Sequence, residues 1–410
     1  MKILIVSQYF WPENFRVNDL VLELNNRGHE VVVLTGKPNY PSGCIFPEYK
    51  NNPLKFSSYE GVTVLRVPII PQGNNGVMRI LNYFSYAINA TILGAYYLRN
   101  KKFDSIFVFQ TSPATVGFPA VIMRWLKKAP LAIWVLDQWP ETLEAVGVVK
   151  SKHLLNLLGK CIKALYKRCD LILVQSQSLV TLIRTKYVSE KRQSCVHYFP
   201  NWAESLFHNT IEAAAPEIQD AAGVFNVMFA GNIGESQDFP TILDAAEKLI
   251  NYENIRWLIV GQGNMFDWVK KEIIRRDLKN KFILLGSYPV ERMPSFYMHA
   301  DALLVSLKPE PIFSMTLPGK VQSYFAASVP VIGMLDGEGG NIINEASAGI
   351  VCSSGDSEAL ADAVLNMSKI DKNDLEKLGK NGFNYGKLNF DRDSQINKFE
   401  EYLLNMTLTD

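Results

Sequence analysis

The sequence predicts an α/β protein made of two doubly wound domains, and three observations carry that expectation. Short apolar runs rich in β-branched residues alternate with stretches of helical period along nearly the whole chain. Around 201–223 the alternation stops: Ala213-Ala214-Ala215-Pro216 and Asp220-Ala221-Ala222-Gly223 have no strand character, and a second series then begins. The length of 410 residues, 48% of them hydrophobic, suits two domains with a core each.

Lys2 to Ser7 reads as a strand, Val17 to Arg27 as a helix closed by Gly28, and Glu30 to Leu34 as the next strand, which is a βαβ unit. Further strands are expected at Val62 to Arg66, Ser105 to Phe109, Leu131 to Leu136, Leu171 to Val174 and Cys195 to Tyr198. Strands that are apolar throughout and separated by helices belong to a parallel sheet covered on both faces. The second series places strands at Phe225 to Ala230, Arg256 to Val260, Phe282 to Leu285, Ala302 to Val305, Val331 to Gly333 and Ile350 to Cys352. No sequence repetition joins the halves, so their likeness is architectural. The expected boundaries are a first domain at 1–204, a linker at 205–223 and a second domain at 224–390. Two such domains facing each other would put a cleft at the carboxyl ends of their strands, where open α/β sheets bind ligands.

A formal net charge of +1 conceals an asymmetry. Residues 1–210 hold 24 Lys+Arg against 13 Asp+Glu, whereas 211–410 hold 18 against 28, so the halves carry +11 and −10. A basic half facing an anionic partner explains this better than a uniformly solvated surface. Cys44, Cys161, Cys169, Cys195 and Cys352 are scattered without a CxxC pair, which fits a reducing compartment and excludes a cysteine-ligated zinc site. Met1-Lys2 runs straight into an apolar strand that Ser7-Gln8 interrupts, so no export signal is expected. The most membrane-like segment, Ile80 to Leu98, has no charged residue, but Asn82, Ser85, Asn89 and Thr91 interrupt it. A span needs about 20 apolar residues. A buried or membrane-surface helix, flanked by Arg79 and by Arg99, Lys101 and Lys102, is therefore favoured over a transmembrane one.

Several segments could carry chemistry. In Phe229-Ala230-Gly231-Asn232-Ile233-Gly234 a strand runs into two glycines before a helix, which lets a backbone approach an anionic ligand or simply makes a turn. Gly261-Gln262-Gly263 lacks a third glycine and a downstream acid and reads as a turn. In Ser314 to Pro330, Thr316 is a candidate cap for a helix starting at Pro318, with Lys320 in its first turn. A cation there opposes the helix dipole, a cost that makes sense if an anion is bound; a solvated lysine is the alternative. Asp137 and Trp139 lie just after a buried strand, so Asp137 is a candidate base or hydroxyl orienter, or else a cap for the helix at Glu141. Arg16, in the loop after the first strand, could reach an anion or form a surface ion pair. Walker, HExxH and GxSxG motifs are absent, the five histidines are isolated, and Asp391-Arg392-Asp393 precedes a helix, where capping is the expected role. The basic half lacks a nucleic-acid motif, so no nucleic-acid partner is expected.

The order and spacing of these segments resemble the family 4 glycosyltransferases of the GT-B fold, in the branch that builds bacterial surface polysaccharides and includes fucosamine transferases. The carriers are ILIVSQYFWPENFRVNDLVLELNNRGHEVVVLTGKPNYPSG, VLDQWPETLEAVG, YFPNWAE, FAGNIGESQD, HADALLVSLKP, LPGKVQSYFAASVPVIG and DGEGGNIINEASAGIVC, which run through nearly the whole chain. The resemblance implies two Rossmann-like domains and transfer of a sugar from a nucleotide diphosphate donor to a polyprenyl-diphosphate-linked saccharide in O-antigen or capsule synthesis. It implies retained anomeric configuration and no bound metal or other cofactor. A UDP-linked N-acetylamino sugar is the expected donor. On the donor side it points to Gly231, Asn232, Gly234, Ser287, Tyr288, Lys308, Pro318, Gly319 and Lys320, and on the acceptor side to Arg16, Asp137 and Trp139, with Lys320 and Asp137 as the catalytic pair. The final helix, at about 391–406, would cross back onto the first domain.

This sequence departs from the family pattern in places. The usual pair of glutamates falls on Met315 and Ser323, leaving Gln322, Glu338 and Gly339 as candidates for the donor sugar and ribose. The usual Arg and Lys after the glycine loop are Asn232 and Asp238. A nucleotide-sugar 2-epimerase of the same architecture and a non-catalytic sugar-nucleotide sensor are the rival readings. The charge asymmetry then implies a cytoplasmic protein held peripherally on the anionic inner leaflet by Arg79 to Lys102, Arg124 to Lys128 and Lys160 to Arg168, at about 1 kcal/mol per nearby cation.

Overall fold

The computed structural model describes residues 1–73, 76–203, 213–219 and 221–408. Each apolar run of the first half becomes a strand: β1 (Lys2–Val6), β2 (Glu30–Gly36), β3 (Ser58–Tyr59), β4 (Val62–Val67), β5 (Ser105–Gln110), β6 (Leu131–Val135), β7 (Leu171–Val174) and β8 (Val196–Tyr198). They form one sheet in the order β3-β4-β2-β1-β5-β6-β7-β8, parallel except at β3. That two-residue edge strand was not expected from the sequence. It exists because Glu60 (φ 47°) and Gly61 (φ 84°) make a two-residue reversal onto β4. The strands after β4 fall on the other side of β1, so the topological switch lies between β1 and β5.

The second half repeats this plan with β9 (Phe225–Ala230), β10 (Ile255–Val260), β11 (Phe282–Gly286), β12 (Ala302–Ser306), β13 (Val331–Met334) and β14 (Gly349–Cys352) in the order β11-β10-β9-β12-β13-β14. Every pairing in this sheet is parallel, and the switch lies between β9 and β12. Strands β9, β12 and β13 are buried at every position, hence on both faces, and on one face Phe229, Trp257 and Phe282 pack with Ile242, Val269 and Val364 from the flanking helices.

The chain divides into two compact units, Met1–Phe199 with Gln395–Asp410, and Pro200–Ser394. The C-terminal helix Arg392–Leu408 completes the first unit, where Phe399 meets the rings of Phe107 at 4.7 Å and Phe199 at 5.9 Å. Its Glu400 pairs with Arg27 and with His29 at 2.6 Å. Asp391 caps this helix, accepting from the Ser394 amide at 2.9 Å. Of the expected linker at 205–223, residues 205–212 and 220 lie outside the described residues. The described part is docked on the second unit, with Ala215 bonded to the Ser295 carbonyl and its own carbonyl 2.8 Å from the His299 ring nitrogen. The Ile80 to Leu98 segment belongs to the helix Gly76–Tyr97, and among the described residues no helix is long and apolar enough to cross a membrane.

Candidate functional site

In the second unit the residues singled out from the sequence gather at the carboxyl ends of β9, β10 and β12. The loops after β9 and β10 lie backbone against backbone: the Gly231 amide donates to the Val260 carbonyl and the Ile233 amide to Gln262, both at 2.9 Å. A Cβ on Gly261 would stand 1.8 Å from the Gly231 carbonyl oxygen, and one on Gly263 2.2 Å from that of Ile233. The reading of Gly261 and Gly263 as a plain turn was incomplete. They are glycines because the β9 loop leaves no room for a side chain, a demand visible only once the two loops are brought together. The Gly261 amide also donates to the Gly286 carbonyl at 2.7 Å, which sets the Ser287-Tyr288 turn beside the same loop. Ser287 is exposed, and the Tyr288 ring packs on Phe296 at 4.6 Å under the Arg292 guanidinium.

The helix carrying Lys320 is Gly319–Ala326, with Pro318 in the capping position and no side chain bonded to its first amides. Thr316 does not cap it, contrary to expectation: its hydroxyl donates to the Ile312 carbonyl at 2.8 Å, one turn back on the helix Pro311–Ser314. The open first turn abuts the next helix, Glu338–Glu345, since a Cβ on Gly339 would lie 3.1 Å from Pro318 Cδ. Gln322 is 1% exposed, and its amide nitrogen donates to the Pro318 and Gly319 carbonyls at 3.0 and 3.1 Å. These bonds turn its amide nitrogen toward the start of its own helix.

Lys320 reaches under the glycine loop. Its Nζ donates to Gln237 Oε1 at 2.6 Å and sits 3.6 Å from the centroid of the Phe229 ring, and a Cβ on Gly231 would be 2.5 Å from its Cε. Among the described residues no carboxylate pairs with it, and burial holds its ammonium well below the ordinary lysine value. The other cation, Lys308, is paired with Glu235 at 2.9 Å while its amide donates to the Ser236 carbonyl. Asp238, at φ 52°, accepts from the Thr241 hydroxyl at 2.7 Å and opens the helix Phe239–Lys248. The side chain of Asn232 lies against Gly234 and Gly263. Sequence reasoning missed Gln237 and Phe229 as partners of Lys320, and also Tyr324, whose hydroxyl joins the Ala230 backbone to the Leu304 carbonyl and so ties β9 to β12.

The first unit has a matching arrangement at the ends of β1, β2, β5 and β6. Asp137 follows β6, and burial raises its carboxyl above the ordinary aspartate range against hydrogen bonding from Thr142, Ser112 and Trp139. It is not the helix cap, because Glu141–Ala145 starts from Pro140 with no side-chain cap bond. Trp139 is 6% exposed, donates its indole N–H to the Ser112 hydroxyl at 2.9 Å and faces the Tyr83 ring at 6.1 Å, forming a wall of the site. Arg16 is the first residue of the helix Arg16–Asn26. Glu13, which sequence reasoning passed over, is buried and accepts from the amides of Asn39 and Tyr40 at 2.8 Å and of Phe10 at 3.1 Å. Burial pushes its carboxyl up to about 7 despite those three bonds and the nearby Arg66. Among the described residues no three His, Cys, Asp or Glu side chains group so as to hold a metal ion.

Comparisons with known proteins agree with the α/β fold of the two units. The family described as glycosyl transferases group 1 matches residues 214–385, and the glycosyl transferase 4-like domain matches residues 14–202. The chain is 26% identical over 341 residues to WcaI of Escherichia coli (strain K12), named for a glycosyl transferase of colanic acid biosynthesis, covering 80% of this chain and 81% of that one. Among solved structures, sucrose-phosphate synthase from Thermosynechococcus elongatus superposes with a TM-score of 0.75 at 15% identity, over 100% of this chain and 99% of the other. Anabaena Alr3699/HepE, solved in complex with UDP and glucose, gives a TM-score of 0.69 at 14% identity, over 99% and 100% of the two chains.

Proposed function

The chain belongs to the family 4 glycosyltransferases of the GT-B fold, and from that premise we propose that it moves an N-acetylamino sugar from UDP to a polyprenyl-diphosphate-linked saccharide of a bacterial surface polysaccharide, with retention of configuration. The observation that carries the donor side is Lys320. A desolvated ammonium with only an amide oxygen and a ring for partners, beside an uncapped helix start and a glycine loop, is arranged for an anion that is not part of the chain.

As the bond from the anomeric carbon to the diphosphate oxygen breaks, negative charge gathers on the leaving group. Lys320 and the first amides of Gly319–Ala326 meet that charge, a preorganised contribution of about 3–4 kcal/mol for a single donor. Gly231 and Gly234 let the loop backbone approach the donor, Ser287 and Tyr288 offer a turn for the base, and Glu338 and Gly339 stand beside the Pro318 end for the sugar. On the acceptor side Asp137 takes up or orients the hydroxyl proton, with its raised carboxyl suited to the role, and Trp139 and Arg16 shape the saccharide site. The basic first half supports attachment to an anionic membrane surface on the cytoplasmic side, where such donors and acceptors meet.

The test is nucleotide release from a panel of UDP- and GDP-sugars with and without a lipid-linked acceptor. Release that depends on acceptor supports transfer. Isomerised donor would indicate an epimerase, and binding without turnover a sensor; either result overturns the proposal.

A further inference from the structure

The short turn Glu235–Gln237, between the glycine loop and the helix Phe239–Lys248, receives two lysines in two different ways. Lys308, which follows β12, meets the Glu235 carboxylate at 2.9 Å, and the pair is neutral. Lys320, in the first turn of Gly319–Ala326, meets the side-chain oxygen of Gln237 at 2.6 Å and keeps its charge. Glutamate and glutamine have the same shape and reach, so what separates the two partnerships is the charge of the acceptor.

Gln237 is held so that its oxygen faces the ammonium, which can only donate. The amide nitrogen donates to the Ser236 hydroxyl at 3.1 Å, and that leaves Oε1 turned to Lys320. The backbone is fixed independently: the Gln237 amide donates to the Gly234 carbonyl at 3.1 Å, and its carbonyl accepts from the Ser306 hydroxyl at 2.7 Å. One residue earlier, the Ser236 carbonyl accepts from the Lys308 amide at 3.0 Å. Two consecutive residues of the turn are thus pinned to the end of β12, and the Gln237 side chain is aimed from a fixed base. The ammonium also lies 3.6 Å from the centroid of the Phe229 ring, so Gln237 supplies the polar partner that a desolvated cation needs. A carboxylate in its place would hold the ammonium as firmly but cancel the charge. An apolar side chain would leave a buried ammonium without that acceptor, which favours loss of the proton. A neutral acceptor avoids both.

We propose that Gln237 is a positioning residue for the donor diphosphate: its amide holds the Lys320 ammonium beneath the glycine loop without neutralising it, so that the positive charge is left for the diphosphate to meet. Gln237 acts through Lys320 and itself touches no reacting atom. The inference rests on the proposed nucleotide diphosphate donor and adds what keeps the cation in place and available to it.

Equilibrium binding without acceptor or turnover tests it, with UDP and GDP as charged probes and uridine and guanosine as their uncharged counterparts. Gln237→Glu should lose at least about tenfold in affinity for the diphosphate that the intact protein binds, and keep its affinity for the matching nucleoside within about twofold. Its melting temperature should be equal to that of the intact protein or higher, because an ion pair replaces the hydrogen bond to Lys320; a merely structural role would lower stability and both affinities together. Gln237→Met, of similar length but without the acceptor, should lose diphosphate affinity by a smaller factor. That loss should vanish when Lys320 is already Met, since Gln237 then has no ammonium to place. Diphosphate affinity of Gln237→Glu within about threefold of the intact protein, parallel losses for diphosphate and nucleoside, or an undiminished effect of Gln237→Met in the Lys320→Met background would overturn the inference. Thermal melts verify that each variant is folded, and Gln237→Met with and without Lys320→Met decides the matter if Gln237→Glu is not. An intact protein that binds neither diphosphate would overturn the donor reading and this inference with it. The expected pattern of binding without any sugar transfer would count against the transferase reading alone.

Discussion

Replacing Lys320 by Met separates what the ammonium does for the protein from what it does for the reaction. In the ligand-free protein the charge has a hydrogen bond to Gln237 at 2.6 Å and a ring at 3.6 Å. A hydrogen bond to a charged group contributes about 1.5–3 kcal/mol and a desolvated cation–π contact about 2 kcal/mol. Against them stands a desolvation penalty of several kcal/mol per ion. These offset, and Met keeps the volume and the contact with Phe229, so Lys320→Met should leave the melting temperature at pH 7 unchanged or a few degrees higher. Activity should fall about 10²- to 10³-fold, the equivalent of losing 3–4 kcal/mol of transition-state stabilisation. The pH dependence has a definite sign. Because the folded-state value is depressed below 10.5, the unfolded chain holds the extra proton between the two values. Wild-type stability attributable to this group therefore rises with pH through that window, and any advantage of Lys320→Met should shrink from pH 7 to pH 10. A variant with activity within tenfold of wild type would refute the assignment.

Three other perturbations test separate links. Asp137→Asn should lower turnover at least 10²-fold, the span of a general base, and wild-type activity should fall with acid through a value above 3.8; near-normal turnover removes the residue from the chemistry. Glu13, with its carboxyl near 7 against an ordinary 4.5, contributes stability that is complete below about pH 4.5 and is lost as pH rises through 7. The effect is about 3 kcal/mol, so the melting temperature of Glu13→Gln relative to wild type should climb from pH 4.5 to pH 8, and parallel curves would show that Glu13 does not titrate there. Gly261→Ala puts a Cβ 1.8 Å from the Gly231 carbonyl at φ 148° and should cost more than about 4 kcal/mol, seen as a loss of roughly 10 °C in melting temperature or of soluble protein.

What was legible in the sequence follows physical lines. Parallel strands buried on both faces leave continuous apolar runs, so nearly every strand could be read, whereas β3 is two residues long and arises from a turn between Glu60 and Gly61 that has no hydrophobic signature. Lys320 could be found because a cation in a first helical turn violates a local preference. Gln237 and Phe229 could not, because an amide in a loop and a ring in a strand become its partners only through the approach of β9 to the helix Gly319–Ala326. Gln322 was chosen for its residue type and position, and the structure shows the amide turned back onto Pro318 and Gly319. Glu13 carried no motif. Its character comes from three amides contributed by two loops, and only the folded chain assembles them.

The substitutions that distinguish this chain from the wider family pattern also bear on the donor side. The position expected to supply a second cation is Asp238, and its carboxylate is engaged by Thr241 at the start of a helix. Lys308 is neutralised by Glu235. With Asn232 uncharged, Lys320 is the cation of this cluster that no carboxylate opposes among the described residues. Charge recognition is then concentrated in one ammonium and a row of helix amides, which is a less redundant arrangement than two or three cations sharing the load. Removing Lys320 should therefore cost more here than removing one cation from a site that holds several, and placing a new cation at Asn232, exposed and next to the loop, should recover part of the loss. A double variant, Asn232→Lys with Lys320→Met, that is no more active than Lys320→Met alone would show that position in the helix turn, and not charge, is what the donor requires.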